Sequence, residues 1–116
     1  MTNQEIRSWY LRQVSQISAL NREWADRGDS LELRARRAWK IRNESRVAAR
    51  KLMQNPAEVA ALRERDLRPY GRPDGPNFED LYAEYQKRGL KNDEIFERVI
   101  ERAQVTNDEV NRQGLP

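Results

Sequence analysis

The sequence predicts an all-α domain of five to six helices, with a long N-terminal helical hairpin and shorter helices packed across it. Three observations carry that expectation. Apolar residues recur at steps of three and four along most of the chain, and no alternating β-branched run of useful length occurs. Capping signals recur along the chain, with Thr2 three residues before Glu5 and Asn55-Pro56 before Glu58. Glycine and proline are few and clustered, so they separate helices rather than dilute them.

The first long helix follows Thr2 and carries Ile6, Tyr10, Val14, Ile17, Leu20 and Trp24 as one apolar stripe. Gly28 ends it, and Asp29 or Ser30 caps the next. The second helix spans Leu31–Gln54, with a thin inward face of Leu31, Ala35, Ala38, Ile41, Ala48, Ala49 and Leu52, flanked by Trp39 and Met53. Its alanines allow a neighbouring helix to come close. Asn55-Pro56 stops and restarts the chain, and a short third helix runs from Ala57 to about Arg65 with Val59 and Leu62 inward. Residues 66–76 hold three prolines and two glycines, which predicts a long loop rather than helix or central strand. Asn77 caps a fourth helix with Phe78, Leu81, Tyr82 and Tyr85 on its apolar side. Asn92 caps a fifth with Ile95, Phe96, Val99, Ile100 and Ala103 inward, and a last short helix is expected near Asn107–Gln113.

A chain of 116 residues with 37% hydrophobic and 35% charged residues fits one domain, residues 1–116, built from thin amphipathic helices. The absence of cysteine excludes disulfides and thiolate metal sites. The absence of histidine excludes Ser–His and Cys–His nucleophilic mechanisms within this chain. Acid–base work then falls to Asp, Glu, Lys or Tyr, and a metal would take oxygen ligands. No apolar run approaches membrane-spanning length and the first residues lack a signal-peptide core, so no membrane contact is expected.

The net charge of +3 is unevenly spread. Residues 29–76 carry twelve basic and seven acidic groups, net +5, whereas residues 77–116 carry six and nine, net −3. Between Arg34 and Lys51 there are eight cations and one anion, Glu44. Arg42, Arg46 and Arg50 follow at i, i+4 and i+8, so they line one edge, where like charges repel by a few tenths of a kcal/mol per pair. Arginine suits bidentate binding of phosphate or carboxylate better than lysine does. Three readings stay open for this edge, with Arg37 beside it: a solvated face paired with the acidic helices, a nucleic-acid surface, or a dock for an acidic protein.

The loop adds Tyr70 among Arg65, Arg68 and Arg72, a composition that can stack on a base and hold phosphates. Asp66 and Asp74 on either side could bind a divalent metal ion, the carboxylate route to phosphodiester hydrolysis. The competing reading is a rigid connector with Tyr70 packed on the second helix. The carboxylates of the later helices, including Asp93 and Glu94, are better explained by the favourable field at helix starts. Residues 99–112 have the outline of a helix-turn-helix, but Asp108 and Glu109 would face phosphates there, which favours a plain helical corner.

The stretch 36–50, Arg65-Asp66-Leu67, Tyr70 to Phe78, and Thr106-Asn107 with Val110-Asn111 together resemble the C-terminal toxin domains of bacterial polymorphic toxins. These sit at the ends of Rhs and PAAR proteins associated with type VI secretion, and the resemblance covers about residues 35–111. It implies a secreted effector that acts in the cytoplasm of a rival cell, nuclease-like on nucleic acid, and is neutralised by an acidic cognate immunity protein. On that reading Arg37, Arg42, Arg46, Arg50, Arg68 and Arg72 bind nucleic acid, and Asn43, Asp66, Tyr70 and Asp74 form the catalytic group. One departure bears on activity. Family members read Ile-Arg-His-x-Ala-Arg where this chain reads Ile41-Arg42-Asn43-Glu44-Ser45-Arg46, so Asn43 stands in place of a histidine. If that histidine is catalytic, this chain is disarmed or divergent. The alternatives are a non-catalytic DNA- or RNA-binding module and an interaction protein that docks an acidic partner.

Overall fold

In a computed structural model, which describes residues 1–72 and 75–104 and only the backbone of Leu62, Asp66 and Arg68, the chain is all-α. Its helices are α1 (Asn3–Ser15), α2 (Ile17–Asp26), α3 (Leu31–Leu52), α4 (Pro56–Tyr70), α5 (Phe78–Lys87) and α6 (Asn92–Ala103). No strand occurs among the described residues. The C-terminal corner and the short helix expected near Asn107–Gln113 lie outside the described residues.

The caps follow from local chemistry. Thr2 Oγ1 accepts from the Glu5 N–H, and the Glu5 carboxylate accepts from the Thr2 N–H, at 3.1 and 3.3 Å. Ser30, rather than Asp29, caps α3 by accepting from the Leu33 N–H. Asn55 caps α4 with Pro56 in its first turn. Asn77 and Asp80 form a reciprocal box at the start of α5. At α6 the cap is Lys91 instead of Asn92, and Glu94 accepts from the Lys91 N–H.

The first long helix is bent. Ser15 Oγ donates back to the Arg12 carbonyl and the Gln16 N–H reaches Gln13, a tightening that separates α1 from α2. Both parts pack on α3, so the hairpin forms as expected, and α3 packs most extensively on α6. The close approach of these helices uses Ala35, Ala38 and Ala49 of α3 and Ala103 of α6, all fully buried. Ile6, Tyr10, Val14 and Ile17 fill the core from α1 and α2, and Leu81, Ile95 and Val99 from α5 and α6. Leu52 was expected inward but is 43% exposed, because it falls in the last turn of α3 beyond the packed stripe.

One expectation is corrected. The loop predicted from residue 66 is helical to Tyr70, with Pro69 inside the last turn of α4. A proline in a helix interior costs about 3 kcal/mol through its lost donor and its clash with the preceding turn. Here Pro69 withholds a donor from the Arg65 carbonyl only one residue before the helix ends at Tyr70, so little helix remains beyond the break. Gly71 then ends the helix at φ +67, and its N–H bonds the Leu67 carbonyl at 2.7 Å. The remaining connector returns to the core. Gly75 and Pro76 are buried, and the Pro76 carbonyl accepts from Trp39 Nε1 at 2.9 Å.

Candidate functional site

The arginines of α3 divide into two groups. In the first half, Arg36 pairs with Glu79 of α5 at 2.7 Å and with Glu32 at 3.7 Å, and its guanidinium stacks on Phe78. Arg37 pairs with Asp29 at 2.6 Å. The carboxyl of Asp29 is held below the usual carboxylate range by hydrogen bonds from Arg27 and Arg37. The Arg36 pairs are exposed, the solvated arrangement that the charge pattern left open, while the Arg37–Asp29 pair is part-buried.

The second half departs from the expected solvent edge. Arg42, Arg46 and Arg50 are 8%, 2% and 6% exposed. The reason lies in helical geometry. Ala35, Ala38, Trp39, Arg42, Ser45, Arg46, Ala49 and Arg50 form one continuous buried stripe at steps of one, three and four. The three arginines thus occupy positions that the periodicity assigns to the interior.

Arg42 is the centre of this group. Its guanidinium lies 4.3 Å from the Trp39 ring. One terminal nitrogen donates to Asn43 Oδ1 at 3.1 Å, and among the described residues the buried Nε has no hydrogen-bond partner. Burial pushes the Arg42 guanidinium down to about 10; Tyr10 of α1 acts in the opposite sense, and Arg46, Arg102 and Arg65 push it down further. Arg65 of α4 is likewise lowered, by its burial and by Arg46. The charges of Arg46, Arg102 and Arg65 thus each act against the charge of Arg42. Arg42 is buried, Arg65 half-buried and Arg102 exposed.

Asn43 sits between this cluster and the returning connector. Its Nδ2 donates to the Pro76 carbonyl at 3.4 Å while its Oδ1 faces Arg42. The amide is thereby oriented on both sides.

Tyr70, placed on α4 by the helix extension, donates to Glu84 of α5 at 2.5 Å. Burial raises the Tyr70 hydroxyl above its ordinary value, as does Glu84, while Arg102 pulls the other way. Glu84 also accepts from Arg88 at 2.8 Å and stands 4.0 Å from Arg102. Burial works against the charge of Arg102, but its hydrogen bonds with Tyr85 and Tyr70 leave its value raised. A cleft of about 440 Å³ lies beside this network, lined by Tyr70, Asp80, Ala83, Glu84, Lys87 and Arg88.

The other sequence candidates fall in different places. Arg72 pairs with Asp80 at 2.6 Å on the surface, which raises Arg72 and lowers Asp80. The side chains of Asp66 and Arg68, and Asp74 entirely, lie outside the described residues, as does the divalent-ion pair that Asp66 and Asp74 would make. Among the described residues no three carboxylates gather so as to hold a metal ion. Three members of the site escaped the sequence reading as members: Trp39, Glu84 and Arg102. Continuing the α3 stripe through its arginines would have found Trp39. Nothing in the sequence separates Arg102 from Arg98 one turn earlier.

Among the described residues no helix is long and apolar enough to cross a membrane. Comparison of the chain with protein-family models, with curated proteins and with solved structures gives no match.

Proposed function

We propose that this domain is a toxin effector that acts on nucleic acid, with a substrate phosphate held at the arginine cluster of α3, α4 and α6. The observation that supports this reading is the burial of Arg42, Arg46 and Arg50 along the second half of α3, with Arg42 stacked on Trp39 and bonded to Asn43. Preoriented cations in a partly desolvated site stabilise charge that develops at a phosphoryl centre more strongly than cations in water do. The resemblance to polymorphic-toxin C-terminal domains supplies the biological setting: delivery into a rival cell and neutralisation by an acidic immunity protein.

Within this proposal Arg42 and Arg102 bind the phosphate, and Asn43 positions Arg42. Asn43 cannot take a proton near neutral pH. Glu84 is the described carboxylate beside Tyr70 and Arg102, and it takes the role of proton acceptor with Tyr70 orienting it. The outward arginines contribute little, because Arg36, Arg37 and Arg72 already hold carboxylates.

The test is cleavage of single- and double-stranded DNA and RNA by the wild-type chain and by Asn43→His, with and without magnesium or manganese. Cleavage by either form, lost in Arg42→Gln and Glu84→Gln, is expected. If neither form cuts any of the four substrates, the reading is wrong.

A further inference from the structure

Helix α4 is held to the rest of the domain from one side only. Glu58 accepts from Asn3 and Arg7 of α1, Val59 rests against the core, and Tyr70 donates to Glu84 of α5. None of its described side chains is buried. A helix of 15 residues is marginal in water unless its apolar side is packed. The opposite side of α4 is open. Pro56, Ala57, Ala60, Arg63, Glu64 and Leu67 are all exposed. Leu67, at 49%, is one of four exposed large apolar side chains among the described residues.

At 3.6 residues per turn these six positions form one face. Ala60 and Leu67, seven residues apart, lie within about 20° of each other and make its midline. Arg63 and Glu64 stand about 50° to either side of that midline, at nearly the same height. Among the described residues neither makes an ion pair. The face is thus apolar along its middle, with one positive and one negative flank.

A second copy of the chain carries the same face, and two-fold symmetry decides how two such faces meet. An axis parallel to α4 exchanges the flanks. Each Arg63 then meets the partner's Glu64, while Ala60 meets the partner's Ala60 and Leu67 meets the partner's Leu67. An axis perpendicular to α4 through its middle keeps each flank on its own side. Arg63 then faces the partner's Arg63 and Glu64 the partner's Glu64, and like charges across an interface oppose association.

We propose that α4 pairs in parallel with α4 of a second copy, through Ala60 and Leu67, with Arg63 of each chain against the partner's Glu64. The pairing is independent of the function proposed above. With 15 residues α4 is about 22 Å long. One helix against another stays below the roughly 800 Å² per partner of stable interfaces, so the dimer is weak and reversible.

The experiment is sedimentation of the full chain between about 10 μM and 1 mM. Monomer at the low end and reversible dimer at the high end are expected. Leu67→Lys and Arg63→Glu should each weaken the dimer by about tenfold or more. The double exchange Arg63→Glu with Glu64→Arg should restore it, because the parallel arrangement only swaps its flanks. All three positions are exposed, and circular dichroism checks that each variant folds. The chain has no cysteine, so Ala60→Cys and Leu67→Cys each introduce a single thiol. Under mild oxidation at high concentration each variant should cross-link to itself, since a disulfide needs its two Cα atoms within about 7 Å. A chain that stays monomeric to about 1 mM leaves this face to a different partner and overturns the inference. So does a dimer indifferent to Leu67→Lys, or one that the double exchange does not restore. Cross-linking only in a mixture of the two cysteine variants overturns the parallel pairing.

Discussion

Arg36 and Arg37, in the first half of α3, hold carboxylates at 2.7 and 2.6 Å on the protein surface, while Arg42, Arg46 and Arg50, in the second half, lie within the helix packing. The same residue type, a turn or two apart on one helix, is thus used in opposite ways. In the first half the Arg36 charge stays hydrated and its pairing is worth little. In the second half a charge such as that of Arg42 has lost water and is repelled by its neighbours. The difference teaches that charge density along a helix does not locate a binding face; the position of each charge relative to the apolar stripe does.

That comparison can be broken or sharpened by mutation. The largest effect is expected at Trp39, which is 2% exposed, stacks on Arg42 and donates to Pro76. Trp39→Ala should cost about 3–5 kcal/mol in urea unfolding. A loss below about 1 kcal/mol would mean that the wall of the cluster is not part of the core. Next is Arg42→Met, for which a gain of roughly 1–3 kcal/mol is expected, since a buried charge gives way to an apolar side chain of similar length. Asn43→Ala removes the hydrogen bonds to Arg42 and Pro76 and should cost about 1–2 kcal/mol. Arg36→Ala, the surface counterpart, should stay within about 1 kcal/mol of wild type and lose even that in high salt.

The smallest effect concerns pH. Asp29 and Asp80 are both lowered in the folded chain, by hydrogen bonds from Arg27 and Arg37 and from Arg72. A carboxylate with a lowered folded value contributes stability that is present above its unfolded value and is lost as pH falls through the folded one. The melting temperature should therefore decline through and below the ordinary aspartate range. Arg72→Gln should flatten part of that decline; a decline of unchanged steepness would show that the Arg72–Asp80 pair does not contribute in solution.

Much of the fold was legible because helix signals are local. Thr2 with Glu5, Ser30, Asn55-Pro56 and Asn77 each satisfy a helix start within three residues, so spacing alone reveals them. Pro69 misled because the rule against proline in helices weakens in a last turn, and no residue nearby signals how far α4 continues. The site was half legible. Tyr70, Asn43 and the 42–46–50 spacing were visible, but their surroundings were not, because Glu84 and Arg102 come from helices more than ten residues away. The orientation of the arginine edge was misjudged for a simple reason. A reading that counts only apolar residues treats arginine as a sign of the outer face, although Arg42, Arg46 and Arg50 keep step with Ala35, Ala38 and Ala49.

The most direct test of the central claim is urea unfolding of wild type and Arg42→Met, each in chloride and in phosphate at equal ionic strength. The account predicts that the variant is the more stable in chloride, that phosphate stabilises wild type and narrows the gap, and that the variant does not respond to phosphate. A variant less stable than wild type in both salts, with wild type indifferent to phosphate, would make Arg42 a structural group and contradict the claim.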